Sequence, residues 1–289
     1  MTIPPEGFAA ALRLGPNPGR GRDLVAGDVH GHFATLRHAL AELEVGKRDR
    51  LFSIGDLVDR GPDSCQALSW IAGGPPGPGD GPAVRFDLVI RGNHEQLMLD
   101  ALASEASPDY EPLWPTGRDL WYGNGGSWWR NRERRPKPPA PGTSPGQAQV
   151  WTAALAALPF AARIETPHGP VGLVHACPVF PSWEELEEAL GDEGFPGRHT
   201  RMRALWSRVR HRIRQPEIGE RGRLHAGAVA GVRAVVTGHT PVEKPVWRAN
   251  VLDIDTGIAR AGLRRLTIAR IDSAEIGTWT FDRVPEDRT

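Results

Sequence analysis

Short apolar runs, most of them ending at glycine, aspartate or histidine, alternate along this chain with stretches whose apolar positions recur every three to four residues. Through the first hundred positions the alternation is regular. Asp23–Ala26 reads as a strand, and residues 32–44 read as a helix with Phe33, Leu36, Leu40 and Leu43 on one face. Residues 50–54 predict a second strand, and Asp63 stands where it can cap a helix carrying Leu68, Trp70 and Ile71. Residues 86–90 predict a third strand, followed by a helix through Leu97, Met98 and Leu102. A β-α-β-α-β order implies parallel strands with right-handed crossovers. Ligands of such sheets bind beyond the carboxyl ends of the strands.

From about residue 113 to 157 the pattern loosens into helix and loop, with Trp114, Trp121, Trp128, Trp129 and Trp151. Core packing of a helical cap and the lining of a substrate groove are equally good readings of Trp121, Trp128 and Trp129. Further strands are predicted at 161–165, 171–174, 234–237, 251–254, 264–271 and 278–281, with helices at 183–190 and 200–214. The second half therefore predicts another sheet, packed on the first through its apolar face. Residues 73–82 and 136–145 are proline- and glycine-rich loops, the second preceded by an arginine-rich stretch at 130–135. The expected layout is an N-terminal extension at 1–22, one domain at 23–271 with a helical and loop insertion at about 105–157, and a C-terminal strand and tail at 272–289.

Composition narrows the class. The 289 residues can bury a full core, and 35 basic side chains balance 35 acidic ones. No global field selects nucleic acid or a membrane as partner, and the arginine-rich 200–214 reads as a solvated helix face. Two cysteines, Cys65 and Cys177, exclude a disulfide scaffold and fit buried thiols in a reducing compartment. No apolar stretch reaches signal-peptide or membrane-span character, so a soluble, cytoplasmic protein is expected.

The candidate chemistry lies at the strand ends. Six blocks occur in order: 27–31 (GDVHG), 55–61 (GDLVDRG), 92–95 (GNHE), His175, 238–240 (GHT) and 255–257 (DTG). Each is weak alone, because a Gly-Asp pair is commonly a turn or helix cap and a strand-end histidine is commonly a satisfied core residue. Together they bring carboxylate, imidazole and amide donors from separate parts of the chain, the donor set of divalent cations. Two such ions clamp the attacking and leaving oxygens of a displacement at phosphorus.

These blocks resemble those of the calcineurin-like metallophosphoesterases, in the phosphoprotein phosphatase branch with its bacterial and phage serine/threonine phosphatases. The 55–61 and 92–95 blocks are the most specific. Asn124-Gly125-Gly126 and Trp206-Ser207-Arg208 are similar to the bacterial and phage type, and the resemblance runs from about residue 23 to 271. It implies an α/β fold, a two-sheet β-sandwich flanked by helices, with a dinuclear metal site at the carboxyl ends of the strands. It also implies that Asp28, His30 and Asp56 hold one metal and that Asp56, Asn93, His175 and His239 hold the other, with manganese expected and iron, zinc or magnesium open. Pro241 stands where the wider superfamily often has a second histidine, an absence shared by the phosphoprotein phosphatases.

The remaining roles follow from what hydrolysis needs. A metal-bridging hydroxide attacks phosphorus directly, and His94 is suited to protonate the leaving alkoxide. The resemblance gives Asp59 the task of orienting His94, the plain alternative being an ion pair with Arg60. Arg60 can clamp phosphate oxygens with its planar fork, and Arg208 by resemblance does the same beside Asn93. His32, Arg91 and Asp255 adjoin the blocks without an assignable role. The expected activity is hydrolysis of phosphoserine and phosphothreonine in proteins, on a phosphoprotein or a small phosphorylated substrate. The alternatives are a symmetrical diadenosine tetraphosphate hydrolase, an RNA-end or cyclic-phosphate phosphoesterase, and an inactive binding module. Oligomeric state is left open.

Overall fold

The apolar run Asp23–Ala26 forms strand β2, buried at all four positions. The computed structural model describes residues 9–73, 85–107, 109–113, 117–129, 145–212 and 227–285. β2 runs parallel to β3 (Arg50–Ser53), which runs parallel to β4 (Leu88–Val89). Helices α1 (Phe33–Glu42) and α2 (Ser64–Ile71) lie between them in the chain, as the periodicity predicts. α1 buries Phe33, Leu36 and Leu40 on its expected face. Asp63 occupies the N-cap position of α2, but its side chain makes no capping hydrogen bond, so the expected cap is absent.

Two sheets stack face to face. The second contains β1 (Ala11–Leu14), β5 (Ala161–Ile164), β6 (Val171–Val174), β7 (Ala234–Thr237), β8 (Val246–Arg248) and β9 (Val251–Asp253), in the order β1-β5-β6-β7-β9-β8. Its central strands β6 and β7 are buried at every position, which is why they read as continuous apolar runs. Val25, Phe52 and Ile54 from one sheet meet Ile164, Leu173, Val236 and Leu252 from the other in one apolar layer. At about 25 cal/mol per Å² of apolar surface removed from water, such a layer is the main force joining the sheets.

Several expectations need correction. β10 (Arg265–Arg270) and β11 (Gly277–Asp282) do not join the second sheet but return to the first, giving the order β11-β10-β2-β3-β4. β10 pairs antiparallel with β2, Ile268 opposite Ala26, and Thr267 accepts the Gly27 N–H at 3.0 Å. Both faces of β10 are apolar: Leu266 and Ile268 pack with α1, while Ala269 and Ile271 face the other sheet. Only the place beside β2 offers both surroundings. Within residues 1–22, β1 forms an edge strand parallel to β5. The helix expected at 200–214 is two helices, α7 (Phe195–Trp206) and α8 (Val209–Arg212), parted where Ser207 takes an extended backbone. Pro196 starts α7 in the first turn, where a missing N–H costs nothing.

Helix α3 (Asn93–Ala106) starts at the Gly-Asn-His-Glu block and is buried from Asn93 to Ala103. Covering it are α4 (Gly117–Trp121), a kinked turn over Tyr122–Gly126, and α5 (Pro145–Ala157). α6 (Trp183–Gly191) backs the second sheet with Trp183, Leu186 and Leu190, and its N-cap Ser182 accepts the Glu185 N–H at 3.2 Å. Trp114, residues 213–214, the arginine-rich 130–135 and, apart from Gly73 and Pro145, the expected loops at 73–82 and 136–145 lie outside the described residues; Pro145 begins α5 instead of ending a loop. Among the described residues no helix is long and apolar enough to cross a membrane.

Candidate metal centre

Each predicted ligand follows a strand, fully buried in β2, β6 and β7 and only half-buried in β4. Asp28 and His30 follow β2, Asp56 follows β3, Asn93 and His94 follow β4, His175 follows β6 and His239 follows β7. The chain must turn sharply there to aim these groups inward. Nine non-glycine residues among those described have positive φ, and five are His30 (46°), Asp56 (53°), Asp59 (71°), Arg60 (68°) and His239 (68°). Such backbone costs roughly 1–3 kcal/mol per residue and persists where surrounding contacts over-determine it.

Glu95 supplies much of that restraint. Oε2 accepts the N–H of Asp56 at 2.8 Å and of Gly92 at 2.9 Å, while Oε1 accepts from Leu57 at 2.8 Å and Val58 at 3.2 Å. One fully buried carboxylate thus ties the start of α3 to the loop after β3. Burial, then the nearby Asp56 charge, pushes its pKa up to about 7. Glycine is required at 92, where a Cβ would stand 2.3 Å from Asp56 N and Oδ1.

Two sets of donors converge. His30, Asp56 and His94 form one, and Asp56, His175 and His239 the other; within each set the donor atoms lie within 4.8 Å of one another. Asp56 belongs to both, as a bridging carboxylate must. Its Oδ2 is 3.7 Å from His30 Nε2, and its Oδ1 is 3.4 Å from His175 Nε2. Main-chain carbonyls select the tautomers. His30 donates its Nδ1–H to Val58 O at 3.0 Å, and His175 donates to Ile54 O at 2.7 Å. Both Nε2 lone pairs therefore face the site. Asn93 Oδ1 lies 2.9 Å from His175 Nε2 and 2.8 Å from His239 Nδ1. A neutral His175 donating through Nδ1 turns a lone pair on that amide oxygen, and two acceptors in contact need a cation to share. Asp28 stands at the edge of the cluster, accepting the His239 N–H at 3.2 and 3.3 Å.

The electrostatics point the same way. Burial is the main force holding the imidazoles of His30, His175 and His239 below their ordinary pKa, hence neutral and able to ligate. Burial, then the charges of Asp255 and Asp56, raises the Asp28 carboxyl well above the usual range. Asp255 is pushed up to about 6, mostly by burial, with Asp56 adding to the effect. Burial would raise Asp56 as well, but the imidazoles of His175, His94 and His30 and the Arg60 guanidinium hold it low. Three carboxylates buried together call for positive charge, and the residues present fit two divalent cations.

His94 is set apart by its partner. Its Nδ1–H donates to Asp59 Oδ2 at 2.7 Å, both side chains being fully buried. Burial would lower its pKa, but the carboxylates of Asp56 and Asp59 outweigh this and raise it. Its Nε2 is buried without a hydrogen-bond partner, 3.9 Å from Asp56 Oδ2. Asp59 pairs with His94 and makes no ion pair with Arg60 among the described residues, so the plain alternative for Asp59 falls away. Arg60 is exposed, its Nη1 donating to His30 Nε2 at 2.7 Å and its Nε to Asn124 O at 3.3 Å. Arg208 is exposed between α7 and α8, and its charge acts on His239 and Asp255. The structure thus brings all the predicted site residues to one edge of the two sheets.

Sequence reasoning gave no part to Glu95 in holding the Asp56 loop, nor to Asp255 in the carboxylate cluster. Glu95 had a readable signal, three residues after an extended Gly92 at a helix start, the spacing of a capping box. Arg91 is a strut: it donates to Gln96 Oε1 at 2.8 Å and to the carbonyls of Ala156 and Leu158 at the end of α5.

Comparison with known proteins agrees with this geometry. A family model described as calcineurin-like phosphoesterase matches residues 22–243. Serine/threonine-protein phosphatase 1 of Salmonella typhimurium is 31% identical over 257 residues, covering 86% of this chain and 90% of that protein. The symmetrical bis(5'-nucleosyl)-tetraphosphatase of a Shewanella species (strain MR-4) is 51% identical, but over 45 residues, 15% of this chain and 16% of that protein. A protein serine/threonine phosphatase structure from Saccharomyces cerevisiae covers 96% of this chain and 85% of its own with a TM-score of 0.57. At 16% identity that likeness concerns the fold.

Proposed function

The chain belongs to the calcineurin-like phosphoesterase family, and on that premise we propose that it hydrolyses phosphoserine and phosphothreonine esters in proteins with two divalent cations. Asp28, His30 and Asp56 would hold one ion, and Asp56, Asn93, His175 and His239 the other. Bound there, the pair supplies Lewis-acid polarisation of the phosphoryl group and lowers the pKa of the attacking water. Mixed carboxylate, amide and imidazole donors fit manganese, iron, zinc or magnesium, and the family resemblance favours manganese. Two cysteines in 289 residues are too few for a secreted disulfide scaffold, which supports a reducing compartment such as the cytoplasm.

The observation that carries this reading is the buried Asp59–His94 pair with Nε2 of the histidine unpartnered. As the bond from water oxygen to phosphorus forms and the ester P–O bond breaks, a serine or threonine alkoxide needs a proton. His94 delivers it from Nε2, and Asp59 steadies the imidazolium through Nδ1–H. The exposed fork of Arg60 binds the non-bridging phosphate oxygens, with Arg208 and Asn93 beside it. Phosphate and the free hydroxyl leave.

A second reading, cleavage of diadenosine tetraphosphate, draws on the local likeness to the tetraphosphatases. Its leaving group is a nucleotide phosphate, stable as an anion, and gives a general acid little to do. The deciding measurement is turnover of a phosphoserine peptide, a phosphotyrosine peptide and diadenosine tetraphosphate with purified, manganese-loaded protein. Preference for the phosphoserine peptide is expected; preference for the dinucleotide overturns the proposal.

A further inference from the structure

The tryptophans of the insertion reach Asp59. Nε1 of Trp121 donates to its two oxygens at 3.1 and 3.0 Å, and Nε1 of Trp128 donates to Oδ1 at 2.7 Å. Asp59 is fully buried, and a buried carboxylate is tolerated only when its oxygens are met by donors. An indole donates and never accepts, so these partners fix the carboxylate without competing for the His94 proton. Oδ1 accepts from Trp128 and Trp121, while Oδ2 accepts from His94 Nδ1 at 2.7 Å with Trp121 bridging both oxygens.

The same segment holds the next residue. Gly125 O accepts the Arg60 N–H at 3.3 Å, and Asn124 O accepts from Arg60 Nε at 3.3 Å. The approach is close: a Cβ on Gly125, whose φ is 116°, would stand 2.6 Å from Arg60 Cγ. Asp59 and Arg60 both have left-handed backbone, at 71° and 68°. Such a pair keeps its place only when held from outside, and residues 121–128 do much of the holding.

We propose that Trp121 and Trp128 are positioning residues for proton delivery: their indole N–H groups lock the Asp59 carboxylate in the orientation that aims His94 Nε2 at the leaving oxygen. This rests on the reading of His94 as the general acid. Loss of an indole donor frees the carboxylate to rotate, and the imidazole with it. The damage falls on substrates whose leaving group must be protonated.

Trp121 is fully buried, with Gly126 against its ring, so its replacement risks the fold. Trp128 is half-buried and gives the cleaner variant. Trp128→Phe removes the N–H, and benzothienylalanine at position 128 removes it while keeping the shape. Both should slow phosphoserine peptide hydrolysis by about tenfold, the low end of what removing such an outer partner costs. p-Nitrophenyl phosphate should slow by less than about twofold, with metal content unchanged. In an Asp59→Asn background Trp128→Phe should add nothing further. A second readout needs no turnover: in magnesium-loaded protein the indole N–H resonance assigned to Trp128 should lie downfield and move upfield on Asp59→Asn. Equal losses on both substrates, or an indole resonance indifferent to Asp59→Asn, overturn the inference while His94→Asn still tests the general acid. A His94→Asn variant with no leaving-group preference overturns the general-acid reading, and this inference with it.

Discussion

Glu95 Oε2 accepts the backbone N–H of Asp56 at 2.8 Å, so the residue that bridges the two donor sets is held by a side chain from another element. Three more N–H groups, of Leu57, Val58 and Gly92, share the same carboxylate. Glu95→Gln keeps the shape but turns an NH₂ group toward donors. Leaving buried N–H groups unpaired costs about 1–3 kcal/mol, and Asp56 should drift from its place. The expected outcome is a Tm lower by several degrees and cation affinity lower by about tenfold, near the low end for outer partners of a metal site. Differential scanning calorimetry and manganese titration calorimetry check this; unchanged affinity would show that Glu95 does not position Asp56.

Asp56→Asn should be worse than Asn93→Asp. The bridging carboxylate faces His30 through Oδ2 and His175 through Oδ1. An amide there loses the charge and one ligating oxygen, whereas a carboxylate at 93 adds charge beside neutral imidazoles. Elemental analysis should find at least one ion per chain missing from Asp56→Asn. Two retained ions would refute the bridging role.

His94→Asn separates proton delivery from metal binding. Phosphoserine peptide hydrolysis should slow by about 10²–10⁴-fold, the usual worth of general acid catalysis, and p-nitrophenyl phosphate much less, because nitrophenolate leaves unprotonated. Metal content should stay near the wild-type value: His94 Nε2 lies beside the first donor set, but the ligands proposed for that ion are Asp28, His30 and Asp56. Asp59→Asn should repeat the pattern more weakly. Parallel losses on both substrates with metals retained would remove His94 from the acid's role.

Metal and pH are linked. Chelation should abolish activity and manganese restore it; full turnover in protein shown to be metal-free would end the metal hypothesis. In the chelated protein Asp28 is raised above the ordinary carboxylate value and Asp255 is raised to about 6. A group raised on folding holds its proton better in the fold than in the unfolded chain. The stability it lends is complete below about pH 4 and is lost as pH rises through the folded value. The Tm in chelator should therefore fall from pH 4 to 7 on account of these groups. Cations bind the deprotonated ligands, so the Tm gain from added manganese should grow across the same range. A gain that is flat or shrinks with pH would contradict this linkage.

The ligand blocks were legible because each donor follows a short strand, most of them buried, and strand and donor are neighbours in sequence. β2, β6 and β7 are found at their expected residues, with Asp28, His175 and His239 just beyond. The tertiary structure decided what pairs across distance. β10 had no local reason to choose β2 over β9, and only a slot between α1 and the opposite sheet buries both its faces. A tryptophan pattern announces burial but not where the indole N–H points, and Trp121 and Trp128 find Asp59 across 62 and 69 positions. The four N–H groups on Glu95 and the crowding of Asp255 on Asp28 are likewise contacts between elements. Periodicity records which side of an element is apolar; which buried polar group meets which is settled by how the sheets, α3 and the insertion pack together.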